Sequence, residues 1–314
     1  MITLLFHSEV DRREWWDDEF ARHRGDINLV TLADLDSGAV AAEAIDYALL
    51  WKPPAGLTAR LPGLKAIFSL GAGIDHLLSD PDLRRDVPMT RVVDPNLTAR
   101  MTEYVVLHVL RHHRRQHDYD ALQRLGKWRA LAQPLASERR VGILGLGVLG
   151  GDAARALGAL GFAVSGWTRT AHAVPGVEMF HGAAGLDAFL GACEILVCLL
   201  PLTAETEGII NAGLLARLPR GASFINAARG RHVVDADLLA ALDTGQLAAA
   251  TLDVFHVEPL PQDHGFWHHP KVTLTPHIAA VTDPRACVAQ VIGNIGRIER
   301  GEAPINLVDL RRGY

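Results

Sequence analysis

The segment Ile195-Leu196-Val197-Cys198-Leu199-Leu200 is apolar at every position. A strand with one face in water alternates apolar and polar residues, whereas a strand that is apolar throughout must be covered on both faces. Runs of this kind are predicted at Leu4–His7, Ile27–Thr31, Tyr47–Trp51 and Leu64–Leu70. A second series falls at Arg140–Leu144, Phe162–Trp167, Glu194–Leu200, Ser223–Asn226, Ala249–Val254 and Val272–Thr275. Helix-length segments separate them, and this alternation implies α/β architecture with parallel, doubly wound sheets. Two series predict two such domains, which also suits 314 residues at roughly 150 per domain. Asp94-Pro95-Asn96 breaks the pattern and marks the first crossing, after which a long helix is expected from about Thr98 through His113. Asp283-Pro284 opens another long helix, with proline well placed in its first turn. That helix is expected to return to the first domain, giving boundaries of 1–97 plus 285–314 for one domain and 98–284 for the other.

Composition narrows the partners. The chain is 49% apolar and 21% charged, as globular proteins are, and its formal net charge is −5. No basic excess recommends a nucleic acid partner. No apolar run approaches the roughly 18 residues that span a bilayer, so no membrane association is expected. The N-terminus, Met1-Ile2-Thr3-Leu4-Leu5-Phe6-His7, lacks a basic flank and reads as a first strand. Cys193, Cys198 and Cys287 form no disulfide framework and read as reduced thiols of a cytoplasmic protein.

Gly145-Leu146-Gly147-Val148-Leu149-Gly150 follows one predicted strand, opens a helix expected over Asp152–Leu160, and precedes a second strand. A GxGxxG in that context is the dinucleotide fingerprint of a Rossmann unit. Its glycines allow a sharp turn and close approach of a pyrophosphate to the helix N-terminus. Gly145, Gly147, Val148, Leu149 and Gly150 are therefore candidate cofactor contacts. At the end of the second strand, where an acidic residue would select NAD(H) by binding the ribose hydroxyls, the chain reads Trp167-Thr168-Arg169-Thr170. Arg169 can pair a 2′-phosphate, with Thr168 and Thr170 adding hydroxyls. NADP(H) is the expected cofactor, with NAD(H) possible.

Arg229, Glu258 and His277 each lie just beyond a predicted strand end. In open α/β sheets ligands bind outside the carboxyl ends of the strands, so the three can converge beside a bound nicotinamide. Around them stand Leu70-Gly71-Ala72-Gly73-Ile74-Asp75, Asn226-Ala227-Ala228-Arg229-Gly230, Leu252-Asp253-Val254-Phe255, Glu258-Pro259 and Pro276-His277-Ile278-Ala279-Ala280. With the Gly145–Gly150 loop, these motifs resemble, in order and spacing, the D-isomer-specific 2-hydroxyacid dehydrogenase family. Trp51-Lys52-Pro53-Pro54, Trp167-Thr168-Arg169-Thr170 and Arg312-Gly313-Tyr314 resemble its glyoxylate/hydroxypyruvate reductase A branch. Lys52 departs from that pattern, which has histidine there.

The resemblance implies two Rossmann-like domains with a hinge and an active-site cleft between them. It implies NADP(H)-dependent reduction of small 2-oxoacids, glyoxylate and hydroxypyruvate, to 2-hydroxyacids. His277 would be the general acid, Glu258 would hold its imidazole, and Arg229 would clamp the substrate carboxylate. Trp51, Ala72 and Gly73 would complete the substrate contacts. Leu200, Pro201, Ala227, Ala228, Arg229, Asp253, His277 and Ala279 would join the cofactor contacts. It further implies a homodimer, with the long helix from about Thr98 and an irregular segment Tyr119–Arg139, carrying Trp128, as the contact.

No metal is expected. His108/His112 and His113/His117 have helical i, i+4 spacing, but they sit among Arg111, Arg114 and Arg115 and read as an exposed basic helix end. The alternatives are a dehydrogenase for a larger 2-oxoacid, phenylpyruvate- or phosphoglycerate-like, and a dinucleotide-sensing regulator without turnover. Glu258, where formate dehydrogenases carry glutamine, disfavours that branch, and the complete Arg229, Glu258 and His277 set disfavours the regulator.

Overall fold

The computed structural model describes residues 1–9, 13–23 and 25–310. Arg312, Gly313 and Tyr314 of the C-terminal motif lie outside the described residues. The chain divides into two compact units, one of Met1–Leu97 together with the chain from Thr282 onward, the other of Thr98–Val281.

In the first unit, β1 (Ile2–His7), β2 (Ile27–Thr31), β3 (Tyr47–Leu50), β4 (Ala66–Ser69) and β5 (Met89–Thr90) form one sheet. Its order is β2-β1-β3-β4-β5 and every pairing is parallel. Leu4, Phe6, Tyr47, Leu49, Ala66 and Phe68 face one core, shared with Trp16 and Phe20 of the Arg13–His23 helix and with Cys287, Val288, Val291 and Ile295 of the Pro284–Glu299 helix. Leu5, Ala48, Leu50 and Ile67 face the other. Successive residues point to opposite faces and both faces are covered, which is why the strands are apolar without alternation.

The second unit repeats the device with β6 (Arg140–Leu144), β7 (Ala163–Thr168), β8 (Glu178–His181), β9 (Ile195–Cys198), β10 (Ala222–Asn226), β11 (Leu247–Leu252) and β12 (Val272–Leu274). The order is β12-β11-β10-β9-β6-β7-β8, again parallel throughout. Along β9, Ile195 and Val197 pack with Val141 and Ile143, while Leu196 and Cys198 pack with Leu144 and Phe224. Both units are thus doubly wound α/β layers. No helix of the described residues is long and apolar enough to cross a membrane.

Several local readings need correction. The helix expected from Thr98 begins at Pro95. The Asp94 carboxylate accepts from the Asn96 amide at 2.9 Å and the Leu97 amide at 3.3 Å, so Asp94-Pro95-Asn96 starts the helix rather than preceding it. The helix after the glycine loop begins at Val148. The segment expected to be irregular from Tyr119 starts with a helix, Gln116–Arg124.

The helix end read as exposed and basic is not exposed. His108, His112 and His113 are buried, because that face of the Pro95–His113 helix packs on the sheet beside Met101, Tyr104, Val105 and Val109. His112 Nε2 lies 3.0 Å from the Thr251 hydroxyl, and His108 Nδ1 lies 3.5 Å from it. Burial, reinforced by neighbouring cationic groups, pulls His108 down to about 4 and His112 down to about 3. Both stay neutral in the fold at pH values where an unfolded chain protonates them, near 6.5. The unfolded state then binds more protons as the pH falls. Stability is therefore lost from about pH 6.5 down towards 4, by up to about 2.7 kcal/mol per pH unit for two protons. Urea unfolding followed between about pH 7 and 5 measures this slope. An identical slope in a His108→Gln, His112→Gln variant contradicts the assignment.

Candidate active site

All seven strands of the second unit run the same way, so their C-terminal ends share one edge, with neighbours about 4.8 Å apart. That edge carries Gly145 after β6, Arg169 after β7, Leu200-Pro201 after β9, Ala227-Ala228-Arg229 after β10, Asp253 and Glu258 after β11, and His277 after β12. The order reverses at β6, with β7 on one side and β9 on the other, and such a reversal opens the crevice in which α/β sheets bind ligands.

The three glycines of the loop do different things. Gly145 has φ +94°, and a methyl group there would stand 2.7 Å from the Leu199 carbonyl oxygen, so both the turn and the neighbouring strand demand glycine. A methyl group at Gly150 would collide with the Gly145 carbonyl, which keeps the helix tight against its strand. Gly147, the N-cap of the Val148–Ala159 helix, meets nothing within 4 Å. No side chain caps this helix and its first turn has no acidic residue. The open space over Gly147 and the helix amides that face it fit a dinucleotide pyrophosphate.

At the end of β7 the Trp167 ring is buried, its indole N–H donating to the Gly182 carbonyl at 2.8 Å. Thr168 is buried too, and its hydroxyl donates to the Thr170 carbonyl at 2.9 Å, so that proton is committed within the turn. Arg169 is half-exposed and lies 3.0 Å from Glu205, a carboxylate brought from the loop after β9. Glu205 lies 36 residues on in the chain, so no local pattern announces this partner.

Asp253 organises the far side of the edge. Its Oδ1 accepts from the Thr275 hydroxyl at 2.6 Å and the Ile278 amide at 2.9 Å, and its Oδ2 accepts from the Ala279 amide at 2.9 Å. Its own carbonyl accepts from the His277 amide at 2.8 Å. These bonds hold His277 at φ +56°, in the left-handed region that side chains avoid. Thr275 in turn meets the Tyr104 hydroxyl at 2.7 Å. His277 Nδ1 lies 2.9 Å from Glu258 Oε2, and both groups are mostly buried. Glu258 Oε1 accepts from the Phe255 amide at 3.1 Å. The carboxylate is therefore oriented before it meets the imidazole.

Arg229 closes a turn after β10. Asn226, fully buried, donates from Nδ2 to the Arg229 carbonyl at 2.9 Å and accepts the Ala228 amide at 3.1 Å. The guanidinium donates to the Ala228 carbonyl at 2.7 Å. A methyl group at Gly230 would strike the Phe255 backbone, so the Arg229 turn packs on the segment that leads to Glu258. Sequence reasoning missed Asn226, Thr275 and His232, since isolated polar residues in the turns at and after strand ends carry no periodic signal. In the first unit, Gly71 precedes Ala72 and Gly73 in the turn after β4, and Trp51 packs against Gly71 and tilts on His76 at 4.4 Å between ring centres. Lys52 has φ +46°.

This is the arrangement of a dinucleotide-dependent oxidoreductase, and residues 106–279 match the family described as D-isomer specific 2-hydroxyacid dehydrogenase, NAD binding domain. The chain belongs to that family. It is 47% identical over 274 residues, 86% of this chain and 88% of the relative, to glyoxylate/hydroxypyruvate reductase A of Serratia proteamaculans. Among solved structures it is similar to a D-isomer specific 2-hydroxyacid dehydrogenase of Xanthobacter autotrophicus in complex with NADPH and MES (TM-score 0.94, 46% identity, 99% of each chain). It is also similar to an NADPH-dependent glyoxylate/hydroxypyruvate reductase of Sinorhizobium meliloti in complex with NADP and sulfate (TM-score 0.93, 44% identity, 100% of each chain).

The glycine loop offers a clean separation of fold from ligand. Gly147→Ala is expected to cost under about 1 kcal/mol of stability while weakening dinucleotide binding at least about tenfold. Gly150→Ala is expected to lower the melting temperature outright. Thermal melts with fluorescence titration of NADPH check both, and a Gly147→Ala protein that binds normally counts against the assignment.

Proposed function

We propose that the chain reduces small 2-oxoacids, glyoxylate and hydroxypyruvate, with NADPH. The observation that carries this reading is the Glu258–His277 pair, 2.9 Å apart, on the strand edge that also carries Arg229 and the glycine loop. The reaction needs a hydride at the carbonyl carbon, a proton at the carbonyl oxygen and a cation for the carboxylate. When bound, the reduced dinucleotide supplies the hydride. With Nδ1 bound to Glu258, the proton that His277 gives up leaves from Nε2, and the carboxylate matches the charge of the ring until it does. Arg229, its backbone fixed by Asn226, holds the substrate carboxylate and polarises the carbonyl.

Gly145, Gly147, Val148, Leu149 and Gly150 hold the pyrophosphate. Arg169 takes the 2′-phosphate, for which its bond to Glu205 must be exchanged. We read Thr168, Thr170, Leu200, Pro201, Ala227, Ala228 and Ala279 as further cofactor contacts. Trp167 and Asp253 act from behind them, through the core and the His277 turn. We read the first unit as the substrate-binding domain, with Trp51, Ala72 and Gly73 as its contribution, and the second as the dinucleotide-binding domain. The cytoplasm is the compartment we assign, its reducing conditions suiting three cysteines that form no disulfide.

An absorbance assay crossing NADPH and NADH with glyoxylate, hydroxypyruvate and phenylpyruvate tests the reading. NADPH with the two small acids is expected to be fastest. His277→Ala should lose about 10²–10⁴-fold in turnover with the fold intact. Arg169→Ala should raise the KM for NADPH at least about tenfold and leave that for NADH unchanged. A normal rate in His277→Ala removes the general acid, and no NADPH oxidation with any 2-oxoacid removes the enzyme. We further propose a homodimer in which the segment 119–139 makes the contact. Trp128 there is fully exposed, and Leu125 and Leu135 are largely so. Sedimentation showing only monomer at micromolar concentration contradicts this.

A further inference from the structure

We infer that His232 is a positioning residue that ties the backbone of Arg229 to the carbonyl of Pro201, coupling the substrate-holding guanidinium to the dinucleotide-holding strand end after β9. The inference rests on the functional reading above and adds a residue to it. His232 is wholly inaccessible to solvent, at the end of the short Gly230–His232 turn. Its Nδ1 stands 3.2 Å from the Arg229 amide nitrogen, and its Nε2 stands 3.3 Å from the Pro201 carbonyl oxygen.

The partners dictate the tautomer. A backbone amide can only donate, so Nδ1 is the bare nitrogen that receives it. Nε2 then carries the hydrogen and donates it to Pro201. The Arg229 carbonyl, 3.1 Å from Nδ1, is already served by Asn226 Nδ2 at 2.9 Å and by the His232 amide at 3.2 Å.

Both ends of this tie are anchored elsewhere. The Pro201 carbonyl also accepts from the Thr206 hydroxyl at 2.7 Å. The His232 carbonyl accepts from the Ile210 amide at 2.9 Å. The Gly230 backbone sits against that of Phe255, before Glu258. An apolar residue of the same size would fill the space yet remove the acceptor that His232 gives the half-buried Arg229 amide. The ring is therefore a two-sided hydrogen-bonding spacer between two loops, and displacing either loop by about 1 Å misplaces a group on which the reaction depends.

Two amides split the spacer. His232→Asn puts an acceptor where Nδ1 stands and cannot reach Pro201, whereas His232→Gln reaches Pro201 and gives up Arg229. His232→Gln is expected to raise the KM for glyoxylate about tenfold while the dissociation constant of NADPH, read by fluorescence titration without substrate, stays within about twofold. His232→Asn is expected to do the reverse, and His232→Leu to damage both. Thermal melts accompany each variant, and if the leucine protein does not fold the two amides decide. Equal shifts in both quantities for both amides, or no shift in either, overturn the inference while wild-type turnover leaves the functional reading standing. A wild-type enzyme that oxidises no NADPH with any 2-oxoacid overturns both together.

Discussion

Asp253 is the constraint on which the reactive edge depends. An isolated buried carboxylate is among the most expensive groups a protein can hold. This one is less than 2% exposed, and each of its oxygens receives donors from the Thr275–Ala279 turn. The bonds work in both directions. The turn makes the carboxylate tolerable, and the carboxylate makes tolerable a left-handed histidine that would otherwise cost about 1–2 kcal/mol. Because the Asp253 amide is itself tied to the Asn226 carbonyl at 3.0 Å, the imidazole after β12 is registered against the turn after β10 that holds Arg229. The placement of His277 relative to Arg229 is therefore a property of strand pairing, carried outward by one side chain.

Parallel pairing makes the rest economical. Since all strand ends of the second sheet lie on one edge, groups separated by more than a hundred residues, such as Gly145 and His277, need only short loops to share it. The reversal at β6 leaves room there, and the glycine loop divides its duties. Gly145 and Gly150 serve the polypeptide's own packing, and Gly147 leaves the space over the helix start open.

Much of this was legible in the residues. The continuous apolar strands announced two covered parallel sheets because each face needs a side chain from every second position. The GxGxxG announced its own turn because sterics at Gly145 and Gly150 permit little else. Two strands gave no such signal. β5 is only two residues long, and β8 is an edge strand whose Glu178 and His181 face water. The basic, histidine-rich stretch from His108 misled because charge patterning marks the average environment of a segment. Here the histidines point inward and the arginines outward from the same turns. Asp253 and His232 show the deeper limit. Each satisfies partners far away in sequence, and no spacing rule reports a bond between the ends of different strands.

The three thiols bear on what such a protein can survive. Cys193, Cys198 and Cys287 are all buried and unbridged, and burial pushes Cys193 and Cys198 up to about 12. Sulfur reacts as its anion, and Cys193 and Cys198 are both sealed from contact and held in the unreactive form. An aldehyde such as glyoxylate adds readily to accessible thiolates. With Cys193, Cys198 and Cys287 all enclosed, the chain presents no cysteine sulfur to such an aldehyde.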